Sequence, residues 1–221
     1  MALVSVLLVC LVGFLLGSIP FGLIVSRLLY GKDIREYGSG NIGSTNALRT
    51  LGKKAGGIVF ALDCLKGLLA AALSLACLYF WYSAPSYALP LLFPQAPVGT
   101  ALDASLVLTL ALLSACAGHI FSPWLSWKGG KGVAVALGCL LLVFGPILAL
   151  FELAIFGIVA AKTRTVSLAS LTSVLICPLI ALVIFWGHWP SILACLMVTM
   201  LIFWAHRSNI KRLLNREESK L

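Results

Sequence analysis

The run VAVALGCLLLVFGPILALFELAIFGIVAA, residues 133–161, decides how this chain crosses a membrane. It is apolar almost throughout, but Gly145 and Pro146 interrupt it near the middle. Proline removes a backbone N–H and breaks the helical hydrogen-bond ladder, and each half of the run is shorter than the roughly 20 residues of a usual spanning helix. The run is therefore either one long kinked helix or a hairpin of two short helices.

The positions of the basic residues decide between these two alternatives. A single crossing would place Lys162, Arg164 and the basic C-terminal tail on the outer side, whereas Lys and Arg accumulate in cytoplasmic segments. A hairpin instead returns the chain to the side from which it came. The charge pattern therefore favours a helical hairpin that turns at Gly145-Pro146, whether or not its tip crosses the membrane fully.

The composition of the whole chain is that of a polytopic membrane protein. Of its 221 residues, 61% are apolar and 10% are charged, and several apolar runs are long enough to span a bilayer. The net charge of +9 is better explained by membrane sidedness than by nucleic-acid binding, so the expected partner is the lipid bilayer and no nucleic acid. The N-terminus lacks a basic n-region, which indicates a retained first span. The seven cysteines lie in apolar stretches without any C-x-x-C pair, so we expect core residues and neither a disulfide nor a zinc site.

These patterns predict an all-α fold, a polytopic membrane helical bundle with about seven spans, N-terminus out and C-terminus in, forming a single domain over residues 1–221. In this arrangement every Lys and Arg except Lys66 lies in an inner segment or at an inner helix end. Segment 84–102, with four prolines and no Lys or Arg, becomes an outer loop. The predicted spans are 2–29, 56–83, 103–121, the two arms of 133–161, 167–186 and 191–205.

Three polar, basic stretches open on the same inner face in this arrangement: 37–54, 119–132 and 206–212. The first begins with YGSGNIGSTN, residues 37–46, in which glycines expose backbone N–H groups among small hydroxyl and amide side chains. Such a segment suits a phosphate or another oxyanion. Its glycines also match G-x-G-x-x-G, but the soluble strand that a dinucleotide site requires is missing, so we reject that interpretation.

Individual residues in these stretches have the chemistry to bind phosphate. Lys128 and Lys131 flank two glycines, so the backbone can approach an anion while the ammonium groups neutralise it. Arg49 has a planar fork that can hold two phosphate oxygens. His206 and Asn209 are three residues apart, so on a helix they share one face. His206 can act as a base or as a hydrogen-bond donor to a phosphate. Four other basic residues of the inner segments are interpreted as topology signals: Lys53, Lys54, Arg212 and Arg216.

The remaining polar residues of the apolar segments receive structural roles or none. Asp63 and Lys66 are three residues apart within a span, so we expect them to pair with each other. His119 is expected to order the second stretch by hydrogen bonding, rather than to activate a cysteine thiol. His188 is interpreted as an interfacial residue on the outer side. No role is assigned to Glu152.

Five segments of the chain together carry a family resemblance. They are GSIPFG (17–22), YGSGNIGSTNALRTLGKKAG (37–56), ALDCLKG (61–67), GHIFSPWLSWKGGKGVA (118–134) and HRSNIKRLL (206–214). In this order they resemble the PlsY family, bacterial membrane acyltransferases that move an acyl group from acyl phosphate to glycerol 3-phosphate. The resemblance covers essentially the whole chain; segment 84–102 departs from it because it is longer than expected.

The resemblance implies a set of site residues and a location. The enzyme is expected in the bacterial inner membrane, with its active site facing the cytoplasm, without a cofactor, a metal or an obligate protein partner. Ser167 or Ser170 is expected to add a contact. The implied catalytic residues are Ser39, Lys131 and His206. The implied phosphate-binding and substrate-binding residues are Ser39, Asn41, Thr45, Asn46, Arg49, Lys128, Lys131, His206 and Asn209.

The chemistry implied by the resemblance fits what the chain lacks. The H-x4-D pair of acyltransferases with soluble donors is absent, because residues 124, 193 and 211, five positions beyond each histidine, are Trp, Leu and Lys. An acyl phosphate is already activated, so the enzyme must mainly hold two anions side by side. The predicted reaction gives 1-acyl-glycerol 3-phosphate and inorganic phosphate.

The alternative function from another class is a membrane transporter for a phosphorylated small molecule. It would need polar groups at mid-membrane or an inverted repeat. The sequence shows no repeat, and its charges gather at one face. The enzyme is therefore the favoured interpretation.

Overall fold

The computed structural model describes residues 2–82 and 103–220, and within these ranges the chain is helical and contains no β-strand. The predicted all-α membrane fold is confirmed. The predicted outer loop 84–102 lies outside the described residues. The helices are α1 (Ala2–Ser18), α2 (Phe21–Tyr30), α3 (Ser44–Leu51), α4 (Lys53–Tyr82), α5 (Ala104–Ile120), α6 (Val133–Val143), α7 (Pro146–Thr163), α8 (Val166–Val174), α9 (Ile176–Ile184), α10 (Trp189–Ala205) and α11 (Arg207–Leu214).

Five helical segments of the described chain are long and apolar enough to cross a membrane: Leu3–Tyr30, Lys53–Leu78, Ala104–Leu125, Pro146–Thr163 and Val166–Ile184. Helices α10 and α11, bent by 62° relative to each other, bring the number to 6 when they are counted together as one span. Helix α6 is apolar but has only 11 residues. The number of seven spans and their orientation therefore stay predictions.

The helical hairpin forms where the sequence predicts it. Gly145 has φ +81, in the left-handed region that favours glycine, and Pro146 takes the first position of α7, where its missing N–H costs nothing. The start of α6 at Val133 and the residue that opens α8, Val166, line the same cavity. The chain thus returns to the end of the bundle from which it entered the hairpin.

The first predicted span, residues 2–29, is not one continuous helix. It breaks between Ser18 and Phe21, because Pro20 cannot continue the hydrogen-bond ladder of α1. The carbonyl groups freed at this break accept hydrogen bonds from elsewhere: Lys66 Nζ donates to Ile19 O over 2.7 Å, and Ser122 Oγ donates to Ser18 O over 2.7 Å. The break therefore ties the first span to α4 and to the second polar stretch.

The predicted span 167–186 is also interrupted, between α8 and α9 at Leu175. Pro178 has no N–H for the carbonyl of Val174, four residues earlier. Thr199 Oγ1 of α10 donates to that carbonyl over 3.3 Å. A neighbouring helix thus satisfies the freed group, as the membrane interior requires.

Small residues let the main helices cross closely, which is the usual way that helices associate in lipid. A Cβ atom on Gly17 of α1 would collide with the backbone carbonyl of Ala115 on α5. A Cβ atom on Gly138 of α6 would collide in the same way with the carbonyl of Cys64 on α4. These crossings fix where α5 and α6 stand, and the polar ends of both helices reach the candidate site.

The cysteines agree with the expected core role only in part. All seven are free thiols, and Cys116, Cys139, Cys177 and Cys195 are buried. Cys77 is exposed on α4, so the expectation that all are core residues is wrong for this one. An apolar stretch that faces lipid accepts a cysteine as readily as a core does.

Candidate active site

A cavity of about 770 Å³ lies where the three polar stretches meet. Ser167 and Ser170 of α8 also line it. Residues far apart in the sequence thus converge at one end of the bundle, as the sequence predicts. All nine predicted site residues line this cavity: Ser39, Asn41, Thr45, Asn46, Arg49, Lys128, Lys131, His206 and Asn209.

The first polar loop is shaped by the side chain of Asn46. This side chain is buried; its Nδ2 donates to the carbonyl groups of Tyr37 (3.0 Å) and Asn41 (2.8 Å), and its Oδ1 accepts from the Ser39 N–H (3.0 Å). The sequence predicts Asn46 as a phosphate-binding residue, but its amide is committed to the loop backbone. Its role in this geometry is to hold Ser39 at the edge of the cavity.

Four helices, α3, α6, α8 and α11, begin at the cavity. The N–H groups in the first turn of a helix have no partner within it, and the helix dipole makes this end positive. Several such ends at one cavity favour a bound anion. The first-turn residues that line the cavity are Ser44, Thr45, Asn46, Val133, Ala134, Val166, Ser167, Arg207, Ser208 and Asn209.

The second polar loop is pressed against His119. Gly130 N–H donates to the His119 carbonyl over 3.0 Å, and a Cβ atom on Gly130 would collide with the His119 ring. A Cβ atom on Gly129 would collide with the same carbonyl. The two glycines therefore allow a contact that holds the neighbouring Lys131 at the cavity.

The same loop contains backbone strain. Ser126 has φ +52 and Trp127 has φ +66, so two successive residues with side chains adopt the left-handed region. The Trp127 N–H donates to the Ser122 carbonyl over 2.9 Å, which closes the turn. Such conformations persist only where the surrounding structure enforces them, and they concentrate at functional sites.

His119 is itself held by a buried charged pair. Lys66 Nζ lies 2.8 Å from Asp63 Oδ1, which confirms the predicted pairing, and 2.9 Å from His119 Nδ1. An ammonium group only donates, so Nδ1 accepts and the other ring nitrogen carries the proton. His119 thus links the loop of Gly130 to α4, which supports the prediction that it orders the second stretch.

The cavity carries an excess of positive charge. Five Lys or Arg residues line it, against the two carboxylates of Asp63 and Glu218. Burial lowers the pKa of Lys131 to about 8; Glu218 opposes this shift, while Arg212 and Arg49 add to it. A bound anion would relieve this mutual repulsion. The five are Arg49, Lys128, Lys131, Arg207 and Arg212.

His206 is buried at the bend between α10 and α11. Its Nδ1 lies 2.8 Å from the carbonyl of Ile202, and because a carbonyl only accepts, this nitrogen carries the proton. Burial lowers the pKa of His206 to about 4, and the charge of Lys131 contributes to the shift. The ring is therefore neutral at pH 7, and its Nε2 has a lone pair available for a proton.

The sequence analysis missed Glu218, whose carboxylate lies in the cavity. It accepts hydrogen bonds from Ser167 Oγ (2.9 Å), Asn209 Nδ2 (2.7 Å) and Arg212 Nε (2.7 Å). Burial acts to raise the pKa of Glu218, but these hydrogen bonds outweigh it and lower the pKa. Arg212, interpreted from the sequence only as a topology signal, is therefore corrected to a residue of the site. Glu218 had no sequence signal, because it belongs to a short charged tail.

The same tail contacts Arg49. One guanidinium nitrogen of Arg49 donates to the carbonyl of Ser219 over 2.9 Å. Arg49 is exposed to solvent despite this contact. Its guanidinium keeps further N–H donors for an anion, since the group has five.

A second cavity of about 300 Å³ adjoins the first. It is lined mostly by apolar side chains of α3, α4, α6, α7 and α8, with Glu152 and Ser173 among them. A cationic cavity thus continues into an apolar groove between the helices. The residues shared by the two cavities are Ser44, Thr45, Val133, Ala134, Val166 and Ser170.

Comparisons with known proteins agree with one another. The family model of glycerol-3-phosphate acyltransferase matches residues 7–216. The glycerol-3-phosphate acyltransferase of Geobacillus kaustophilus is 40% identical over 97% of this chain and 95% of its own length. That of Trichlorobacter lovleyi is 41% identical over 94% of this chain and 93% of its own length.

Solved structures give the same result. The crystal structure of PlsY (YgiH), an integral membrane glycerol 3-phosphate acyltransferase in its glycerol 3-phosphate form, matches with a TM-score of 0.79 and 34% identity, over 98% of this chain and 96% of that one. Its lysophosphatidic acid form matches with a TM-score of 0.77. The chain described here belongs to the glycerol-3-phosphate acyltransferase family of integral membrane proteins, the family of PlsY.

Proposed function

We propose that this enzyme transfers the acyl group of an acyl phosphate to the 1-hydroxyl of glycerol 3-phosphate. The products are 1-acyl-glycerol 3-phosphate and inorganic phosphate. One observation carries the proposal: the cationic cavity and the apolar groove share a wall, made by Thr45, Ala134, Ser170 and their neighbours. A donor with a phosphate at one end and a hydrocarbon chain at the other matches this junction.

The cavity has the means to hold two phosphate groups together. Cationic side chains and first-turn N–H groups surround it, and these offset the repulsion between two anions. Holding the two substrates in reacting geometry contributes about 7–11 kcal/mol, more than the roughly 10²–10⁴-fold gained from one general base. Positioning is therefore the main catalytic contribution that we assign to the site.

The proposed reaction is a direct acyl transfer. The 1-hydroxyl oxygen of glycerol 3-phosphate attacks the acyl carbonyl carbon, and the bond from that carbon to the phosphate oxygen breaks. His206 Nε2 accepts the hydroxyl proton and passes it to the released phosphate. Lys131 stabilises the negative charge that develops on the carbonyl oxygen.

Ser39 is assigned to the reacting groups through its hydroxyl. Its N–H is already bonded to Asn46 Oδ1, so the backbone amide is occupied. The side chain, at the exposed tip of the loop, is the part of the residue that can contact the donor phosphate. Asn41, Thr45, Lys128 and Asn209 are assigned to phosphate binding.

The site is proposed to face the cytoplasm of a bacterial inner membrane. The cavity lies at the end of the bundle that carries the basic loops and the basic C-terminal tail. Lys and Arg accumulate in the cytoplasmic segments of membrane proteins. Glycerol 3-phosphate would then enter from the cytoplasm, while the acyl chain lies among the helices.

The choice of donor tests the proposed function. The purified protein is incubated with glycerol 3-phosphate and an acyl phosphate, an acyl-CoA or an acyl carrier protein, and the product and released phosphate are measured. Of the three donors, we expect only acyl phosphate to support turnover. This turnover should be lost in the Lys131→Ala variant. Turnover with acyl-CoA or acyl carrier protein in the absence of acyl phosphate would reject the proposed donor. Accumulation of unmodified glycerol 3-phosphate in sealed vesicles would instead indicate a transporter.

A further inference from the structure

Glu152 of α7 is a buried carboxyl group that the proposed reaction does not use. Its side chain is 4% exposed, and within the described part of the chain its Oε1 has no hydrogen-bond partner. Ser173 Oγ, the nearby hydroxyl, donates over 3.0 Å to the backbone carbonyl of Glu152 and not to the carboxyl group. A buried polar group without a partner costs free energy, so its presence requires an explanation.

The carboxyl group belongs to the apolar groove and not to the phosphate cavity. Glu152 lines the groove beside Leu140, Leu153 and Val174, and it is not among the residues that line the larger cavity. No Lys, Arg or His lines the groove in the described chain. Glu152 is thus separated from the cationic groups that would bind the substrate phosphates.

Helix register places Glu152 at the deep end of the groove. The groove begins at the phosphate cavity, beside the start of α6 and the start of α8. Leu140 and Val174 are the residues farthest along these helices that still line it, about 10–12 Å from their starts at a rise of 1.5 Å per residue. On α7, which runs back toward the cavity and ends at Thr163, Glu152 lies about 16 Å from that end, deeper than any other lining residue of this helix.

We propose that Glu152 is a specificity-determining residue that sets the length of acyl chain which the groove accepts. This inference rests on the proposed function, in which the groove holds the acyl chain of the donor. An acyl chain whose methyl end stops short of Glu152 does not contact the carboxyl group of this residue. A longer chain must press methylene groups against this polar group or leave the groove for the bilayer. Either outcome loses packing contacts with the groove wall.

A series of saturated acyl phosphates of increasing length tests the inference in the purified enzyme. In the wild type, kcat/KM for the donor rises with length and then stops rising once the chain reaches Glu152. In Glu152→Leu the rise continues, so the length at which kcat/KM stops rising shifts to longer chains, because added methylenes then pack against an apolar side chain. Glu152→Gln, which keeps a polar group of the same size, retains the wild-type profile. An active Glu152→Leu enzyme with an unchanged length profile would overturn the inference.

Two controls separate this inference from other causes. Phe151→Leu alters the neighbouring residue, which is 52% exposed on the surface of α7 and does not line the groove. This variant should keep the wild-type length profile. The KM for glycerol 3-phosphate should stay constant in all three variants, because Glu152 does not line the phosphate cavity. Absence of turnover with every acyl phosphate would contradict the proposed function instead.

A second measurement needs no variant. An acyl phosphate with a hydroxyl group at its far end, long enough to reach Glu152, is compared in the wild type with the plain donor of the same length. The carboxyl group can bond to this hydroxyl, so we expect kcat/KM for the two donors to differ less than twofold. A loss of tenfold or more, as expected in a purely apolar groove, would contradict a polar end formed by Glu152.

Discussion

Lys131 is partly buried and lies near Arg49 and Arg212, so its charged form is disfavoured when no anion is bound. Its pKa of about 8 means that the free enzyme loses this charge as the pH rises through that value. We therefore expect kcat/KM for glycerol 3-phosphate to fall above pH 8, since this parameter reports the ionisation of the free enzyme. Initial rates at low glycerol 3-phosphate concentration, from neutral to alkaline pH, measure the effect.

Lys131→Arg is the matched control, because a guanidinium group stays charged throughout the alkaline range. The variant should bind more weakly, since its geometry differs, but its alkaline decline should move to higher pH. An identical decline in both enzymes would assign the ionisation to another group.

His206 provides a second prediction at the scale of a residue. With a pKa of about 4 in the free enzyme, its ring is neutral at pH 7 and able to accept a proton. Two bound phosphates would offset the charge of Lys131 and raise this pKa, which makes the ring a better base in the complex. His206→Gln should therefore lower kcat by about 10²–10⁴-fold, the range for one general base, with a smaller change in the KM for glycerol 3-phosphate. A rise in KM with kcat unchanged would show that the ring only binds phosphate.

At the scale of helices, the close crossing of α4 and α6 determines where α6 begins at the cavity. A side chain on Gly138 would collide with the Cys64 carbonyl, so Gly138→Val must push α6 away from α4. Overpacking of this kind costs about 1–3 kcal/mol of stability. We also expect a higher KM for glycerol 3-phosphate, because the displaced helix start lines the site. Thermal unfolding in detergent and steady-state kinetics measure the two effects.

Gly157→Val on α7 is the control for the same substitution. A Cβ atom at Gly157 meets nothing within 4 Å, so the added side chain has space. Its stability and kinetics should stay close to those of the wild type. Equal losses in both variants would mean that valine acts through its effect on its own helix and not through the crossing.

The helices also show which features a sequence can predict. The break at Gly145-Pro146 was predictable because proline acts locally on the backbone of its own helix. Pro178 acts through the same chemistry, yet its effect is a short interruption, because Thr199 satisfies the freed carbonyl group of Val174. That compensation comes from another helix and leaves no local pattern.

The site shows the same division. Lys131 was predictable because its neighbouring glycines are adjacent in the sequence. The side chain of Asn46 is hydrogen-bonded to the loop backbone, and Asn209 donates a hydrogen bond to Glu218. Both contacts depend on the path of the folded chain and could not be predicted from the sequence. The residue types indicated that the site binds anions. Which side chains remain free to bind the substrate depends on contacts between distant parts of the folded chain.

At the scale of the molecule, the anion-binding features are concentrated at one end of the bundle. Four helix starts and five cationic side chains surround the larger cavity, and the apolar groove leads away from it among the helices. A reaction between a water-soluble phosphate ester and an acyl donor needs both environments in contact. Their arrangement fixes the direction from which each substrate arrives, and thus makes the orientation of the bundle part of the proposed mechanism.

That orientation is testable with an impermeant thiol reagent. In a variant whose native cysteines are replaced, single cysteines are introduced at the exposed residues Ser39, Lys128 and Arg207, one for each polar stretch, and at His188 for the opposite end. The proposed orientation, in which the cavity opens to the cytoplasm, predicts that the first three react in inside-out membrane vesicles and resist the reagent in intact spheroplasts. The cysteine at 188 should show the reverse pattern. Labelling of 39, 128 and 207 from different sides of the bilayer would contradict a shared site, since no single cavity could then contain all three stretches.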